Sequence, residues 1–219
     1  MKRLLYTTLA SCALFLTSCI KNDYWVNPNP EPPRLNRYQY VDEFDDNRGD
    51  WNFVDGANSA YGVITNGTFK FDYNSNTSQA YYVSKNIVFN SYNDFVLESK
   101  IGSDNNFGIL FGYDARQGSY GYSFTVNYNG QFALYDEGGN GYGPDIQEII
   151  RPTYDNAVRR NGDWNTVRID QVGNRWIGYV NNIQVFNIQA RNLKAGSIGF
   201  VAVPFTKGEA DYIQADWYE

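Results

Sequence analysis

An all-β, two-sheet antiparallel sandwich is the fold this sequence predicts, and three observations predict it. Residues 164–186 alternate as half-buried strands: Val167 and Ile169 face one way, and Thr166, Arg168 and Asp170 the other. The reversals in that stretch fall on Gly173-Asn174 and Asn181-Asn182, residue types that reach positive φ cheaply and suit tight hairpins. The composition agrees: 19 Tyr, 20 Gly and 17% aromatic residues, with no helix-forming run, favour strands throughout.

Before the sandwich comes an address. Lys2 and Arg3 precede an apolar run, residues 4–16, which closes on Leu16-Thr17-Ser18-Cys19. A run of ~13 residues is short for a membrane span and fits the core of a signal peptide. The closing motif resembles a bacterial lipobox, so residues 1–18 are expected to leave and Cys19 to carry lipid. Ile20 follows in place of the Asp that resembles an inner-membrane retention signal, which points to the outer membrane. Lys21-Asn22-Asp23 resembles the surface-export signals of Bacteroidetes-type lipoproteins. Cys12 departs with the signal, so the mature chain keeps no thiol for a disulfide and must be held by its core. Residues 19–37 carry Pro28, Pro30, Pro32 and Pro33 and read as an extended tether of roughly 50 Å. Residues 38–219 form one domain, long enough to bury about two thirds of its unfolded surface.

Taken in order, the strands begin near Val41-Asp42-Glu43-Phe44 and Trp51-Asn52-Phe53. Tyr61 to Ile64 and Thr68 to Tyr73 flank Asn66-Gly67, a hairpin signal. Ala80 to Ser84 follows, and then Phe95, Leu97, Ser99 and Ile101 share one face while Glu98 and Lys100 take the other. Phe107 to Tyr113 comes next. In residues 120–128 the apolar face is Tyr120, Tyr122, Phe124, Val126 and Tyr128. Its opposite face, Gly121, Ser123, Thr125 and Asn127, has the composition of a groove floor. Asn129-Gly130 turns into Gln131 to Tyr135, and residues 136–163 depart into a Gly-rich loop with a short segment at 146–150. The meander at 164–186, then 196–201 and 212–217, complete about a dozen strands and no helix.

The chain contains no histidine, which excludes Ser-His-Asp and Cys-His nucleophile systems and His-ligated zinc or iron. Loss of Lys2 and Arg3 leaves 16 basic against 24 acidic residues, with no basic cluster to receive nucleic acid.

With the strands in order, the chain resembles the concanavalin A-like lectin/glucanase superfamily, including its laminin-G-like members. The resemblance is carried by Asp42-x-Phe44, Asn66-Gly67, Asp94-Phe95-x-Leu97-Glu98, Gly108-Ile109-x-Phe111 and Tyr122-x-Phe124-x-Val126. It continues through Trp164-Asn165-x-Val167-Arg168-Ile169, Tyr179-Val180-Asn181, Gly196-x-Ile198-Gly199-Phe200 and Ala215-Asp216-Trp217. It implies a curved jelly-roll sandwich whose concave sheet or loop rim binds glycans, and by itself no activity. Family 16 glucanases of this superfamily carry Glu-x-Asp-x-(x)-Glu on one strand, a triplet this chain lacks; its nearest spacing is Glu43 with Asp45. A second relative, the family associated with 3-keto-disaccharide hydrolysis, shares the pattern at residues 95–98 and 164–169. A catalytic reading of that likeness rests on Glu98 and Arg168, against an ordinary cross-strand ion pair on a solvated face. Related sandwiches hold a structural calcium between first and last strands, which makes Asp42, Asp45 and Asp216 the candidate ligands.

For a glycan platform the candidate rings are Trp176, Tyr113, Tyr120, Tyr135 and Tyr142, with Arg116, Asn127 and Arg168 as polar partners. Trp176 and Ile177 alternate, so one of the two faces out. The expected function is a lipid-anchored envelope protein that binds a polysaccharide or glycoconjugate without catalysis. The alternatives are a glycoside hydrolase of the 3-keto-disaccharide type, and a structural or adhesive protein with a protein partner.

Overall fold

The computed structural model describes residues 36–87, 93–114, 120–138 and 146–218. The predicted signal peptide, the lipidated Cys19 and the tether up to residue 35 lie outside them, as do Arg116 and Tyr142. Among the described residues the regular elements are all strands. In order these are β1 (Arg37–Asp42), β2 (Phe53–Asp55), β3 (Ala60–Thr65), β4 (Thr68–Tyr73) and β5 (Tyr81–Asn86). Next come β6 (Phe95–Ser103), β7 (Phe107–Asp114), β8 (Tyr120–Val126), β9 (Gln131–Asp136) and β10 (Gln147–Tyr154). The last five are β11 (Asn165–Val172), β12 (Arg175–Val180), β13 (Ile183–Gln189), β14 (Ser197–Ala202) and β15 (Thr206–Tyr218).

These strands make two antiparallel sheets. A nine-stranded sheet runs β13-β12-β11-β6-β15-β4-β3-β2, with β1 paired to the C-terminal half of β15; a six-stranded sheet runs β10-β9-β8-β7-β14-β5. The core between them is largely aromatic, and rings cross from sheet to sheet. Phe69 lies 5.6 Å from Phe200, Phe71 lies 5.8 Å from Phe107, and Phe124 lies 5.0 Å from Phe186. This is the concanavalin A-like jelly roll that the residue pattern resembles.

The turns follow their chemistry. Asn66 and Gly67 both have positive φ between β3 and β4, and Asn181 and Asn182 do the same between β12 and β13, as a two-residue primed turn demands. Asn181 does more than turn: its side-chain oxygen accepts from the Thr166 amide at 3.0 Å, and its amide group donates to Ala157 O and Asn165 Oδ1 at 2.8 Å each. That explains why asparagine stands where glycine would serve the backbone alone.

Trp176 corrects an expectation. It is 0% exposed, packed edge-on against Phe111 at 5.3 Å and Tyr122 at 4.7 Å, and Ile177 is the member of the pair that faces out. Its indole N–H donates to Gln171 Oε1 at 2.9 Å, and Gln171 in turn donates to Asn93 O at 3.0 Å. The indole's polar edge is thus satisfied inside the protein.

Candidate functional site: the outer face of the six-stranded sheet

Alternation places two sets of side chains on the six-stranded sheet. The inner set, with Ile109, Phe124, Leu134 and Phe200, fills the core. The outer set includes Val201 on β14, Gly108 and Leu110 on β7, Gly121, Ser123 and Thr125 on β8, and Ala133 and Tyr135 on β9. They are paired across the sheet as Val201 with Gly108, Gly108 with Thr125, and Thr125 with Ala133. Leu110, Ser123, Thr125, Ala133 and Val201 are all buried, although they point away from the core. The groove-floor composition expected of Gly121, Ser123 and Thr125 is therefore realised on a sheltered face.

The sheet is curved. Tyr82 on β5 and Glu137, just past β9, meet with the phenol O–H donating to Glu137 Oε2 at 2.7 Å. Ala133 stands straight across from Tyr82, four strand steps away, and Glu137 lies four residues further along. On a flat sheet those offsets amount to ~19 Å across and ~13 Å along, more than the two side chains can span. The sheet must curl toward this face, in the sense that coiled sheets allow. The glycines mark where curling crowds the strands. A Cβ on Gly199 would lie 1.9 Å from Val83 O, and one on Gly108 would lie 2.2 Å from Phe124 O. The outer face is a concave groove.

A bulge adds a ring to it. By simple alternation Tyr113 would join Ile109 and Phe111 in the core. Gly112 instead adopts φ +59°, the β7–β8 register shifts after Phe111, and Tyr113 swings outward to stack on Tyr82 at 5.5 Å. Both the Lys194 and Ala195 amides donate to Gly112 O at 3.1 Å, which holds the bulge. Tyr135 stands between Ser123 and Glu148 across the sheet, half-buried, its phenol pushed up by burial and then by Glu148 and Glu137.

Glu137 is a buried charged group of this face, and the sequence reading passed over it. It is 7% exposed. Ser123 Oγ donates to its Oε1 and Tyr82 to its Oε2, while its amide donates to Gly121 O at 2.9 Å. Burial pushes its carboxyl up; the Ser123 and Tyr82 hydrogen bonds oppose this, and Asp136 adds to it. Tyr82 is pushed far up, by burial first and by Glu137 second. The available signal was the period-two continuation of Ala133 and Tyr135 to residue 137, hidden because that residue opens the Gly-rich loop.

The other predicted residues lie elsewhere or do other work. Asn127 shapes the β8–β9 turn: its Oδ1 accepts from the Asn129 and Gln131 amides and its Nδ2 donates to Gln131 Oε1. Tyr120 sits at the start of β8 opposite Asp114. Glu98 and Arg168 pair across β6 and β11 on the outer face of the nine-stranded sheet, the opposite side of the molecule from the groove. There Glu98 accepts from Tyr212 at 2.6 Å. Arg168 Nε lies 3.0 Å from Asp170 Oδ1 without the alignment of a hydrogen bond, and its guanidinium covers the Tyr179 ring at 4.2 Å. At 4.0 Å from Glu98, Arg168 is committed mainly to Asp170 and Tyr179.

The proposed calcium ligands are not brought together. Asp216 lies opposite Gln39 on β1, three positions from Asp42, and pairs with Arg37 at 2.7 Å. Asp42 accepts from the Phe44 amide at 3.0 Å and from Trp51 Nε1 at 2.8 Å. Asp42 and Asp45 do line a common cleft of about 510 Å³. Among the described residues, however, no three acidic side chains converge on one point as a cation would need.

The family profile of the 3-keto-alpha-glucoside-1,2-lyase-like domain matches residues 39–209, and the chain belongs to that family. No sequence among curated proteins matches it. Solved structures resemble it in fold. The endo-beta-1,3-glucanase of Pyrococcus furiosus has TM-score 0.51 at 13% identity, over 82% of this chain and 94% of that one. The kappa-carrageenase of Pseudoalteromonas carrageenovora, complexed with an oligotetrasaccharide of kappa-carrageenan, has TM-score 0.51 at 11% identity, over 89% of this chain and all of that one. The Emp46p carbohydrate recognition domain has TM-score 0.51 at 10% identity, over 80% and 97%.

Proposed function

We propose that this chain is a lipid-anchored envelope protein, held by Cys19 at the outer membrane, whose sandwich binds carbohydrate in the concave groove of its six-stranded sheet. The observation that carries the reading is the curled face itself: a lining of glycine and small side chains, edged by the half-buried Tyr135 on β9, with Tyr113 on β7 buried against Tyr82. A tyrosine ring offers an apolar platform to the face of a sugar and a hydroxyl to its rim. The small floor lets a ring approach the backbone, as close-packed sites with few polar groups do. Membership of a lyase-like family acting on glucosides and a fold shared with glycan-binding and glycan-cleaving proteins support the same reading.

The test uses the full protein purified from membranes in detergent, run through gels containing a panel of neutral, uronic and sulfated polysaccharides. Retardation by at least one glycan, lost in Tyr135→Ala with the melting temperature preserved, is the expected result. Equal mobility in every gel would reject the reading. Labelled fatty acid that fails to enter the wild-type chain, or still enters Cys19→Ser, would reject the anchor.

A second reading has its own observation. Two-carboxylate hydrolysis needs a matched pair, but elimination next to a carbonyl needs a single base, and the groove holds one carboxyl tuned by burial, Glu137. On this reading the domain cleaves a 3-keto glucoside rather than only holding a glycan.

A further inference from the structure

We propose that Glu137 is the proton-transfer group of this domain, held in place by Ser123 and Tyr82 on the floor of the concave groove. The inference deepens the elimination reading and rests on it. Glu137 is buried in the groove, and each carboxyl oxygen accepts one hydroxyl, Ser123 on Oε1 and Tyr82 on Oε2. A carboxylate has about four acceptor sites, so the two hydroxyls leave it capacity for further partners. Its two partners come from different strands, β8 and β5, and its own amide is tied to β8 through Gly121 O, so the group cannot swing away. Among the described residues no lysine or arginine side chain hydrogen-bonds or ion-pairs with it. Among those residues it is thus held by hydroxyls and a backbone tie, and not by an ion pair of the kind that usually accompanies a buried acid.

Aromatic rings lie beside it: Tyr113 is stacked on Tyr82, and the half-buried Tyr135 lies on β9, just before Glu137. By contrast Glu98, on which a catalytic reading of the family likeness rests, lies on the opposite sheet and accepts from Tyr212.

The step balances without a cofactor. A carbonyl at C3 of the sugar acidifies the C2 hydrogen. Glu137 as carboxylate takes that proton, and the C2–H electron pair forms the C1=C2 double bond. The C1–O bond breaks with its pair on the departing oxygen, which takes a proton from water. Glu137 then returns its proton to water. One glucoside becomes one unsaturated keto sugar and one alcohol, with no change of oxidation state overall.

The experiment uses the full protein in detergent with methyl 3-keto-α-glucoside as probe. Methanol release and exchange of the C2 hydrogen for deuterium are followed by NMR, with glycan retardation measured on the same samples. Wild-type protein should exchange and eliminate. Glu137→Gln, which keeps the shape and the acceptor oxygen, should lose both by ~10²–10⁴-fold while still folding and still being retarded. Ser123→Ala should slow the step less and move its pH–rate profile. Full exchange by Glu137→Gln overturns the assignment. So does a wild-type protein that is retarded by glycans but neither exchanges nor eliminates, an outcome that leaves the binding reading intact. A wild-type protein that does neither sinks both.

Discussion

Tyr82 and Glu137 are 55 positions apart in sequence and lie three intervening strands apart in the sheet, yet they share a hydrogen bond of 2.7 Å. That single contact reports the curl of the six-stranded sheet. Burial at that contact raises the carboxyl, and the hydrogen bonds from Ser123 and Tyr82 oppose the rise.

A pH prediction follows from the direction of that shift. Glu137 is raised above its ordinary value of 4.5. The folded state therefore holds its proton more tightly than the unfolded chain, and the stability tied to this proton is fully present below about 4.5. It is lost as pH rises from there through the raised value. Thermal melts of wild type and Glu137→Gln should nearly coincide at pH 4 and diverge toward pH 8, with Gln the more stable. Parallel curves across that range would show that the carboxyl is not desolvated.

Trp176→Ala is expected to act on the fold and not on a sugar surface. The ring is wholly buried between Phe111 and Tyr122, and its removal leaves Gln171 Oε1 without its donor. Truncation of a buried tryptophan costs ~3–5 kcal/mol, a large fraction of the ~5–15 kcal/mol that ordinarily holds a domain folded. Chemical denaturation measures it. A folded, near-wild-type Trp176→Ala with impaired retardation would restore the surface role that alternation left open.

Most of the architecture was legible in the residues, because period-two alternation and Asn/Gly turns are local. Strands β3, β4, β6, β8, β12 and the small-residue face of β8 all stand where alternation places them. What escaped has a non-local cause. The bulge at Gly112 inverts the alternation for a single residue and delivers Tyr113 to the groove. Glu137 gains its environment from Tyr82, four strand steps away, which no window of sequence can reveal. Whether Trp176 or Ile177 faced out turned on Gln171, whose inward amide could satisfy an indole. Glu98 and Arg168 are the cross-strand neighbours that alternation places on one solvated face, here the outer face of the nine-stranded sheet.

The glycines separate curvature from mere flexibility. An added Cβ at Gly199 would collide with Val83 O at 1.9 Å, whereas at Gly56 it would meet nothing within 4 Å. Gly199→Ala must shift backbone rather than a side chain, and overpacking of that kind costs ~1–3 kcal/mol or more. Gly56→Ala should stay within about 0.5 kcal/mol of wild type. Melting both variants checks the contrast; equal stability would mean that the sheet is flatter than the Tyr82–Glu137 contact requires.

The β12–β13 turn offers the last test, because its two asparagines do unequal work. Both backbones have positive φ, so glycine would serve either position conformationally. Asn181 additionally binds the Thr166 amide, Ala157 O and Asn165 Oδ1, whereas Asn182 is half of the turn alone. Asn181→Gly leaves Asn165 Oδ1 with one donor fewer and the Thr166 amide without its acceptor, at ~1 kcal/mol for each net hydrogen bond lost. Asn182→Gly relaxes a strained φ of 65° and should be neutral or slightly stabilising. Urea unfolding of the two variants should rank Asn181→Gly well below Asn182→Gly. The reverse order would show that the turn, and not the side-chain bridge to β11, holds the meander in register.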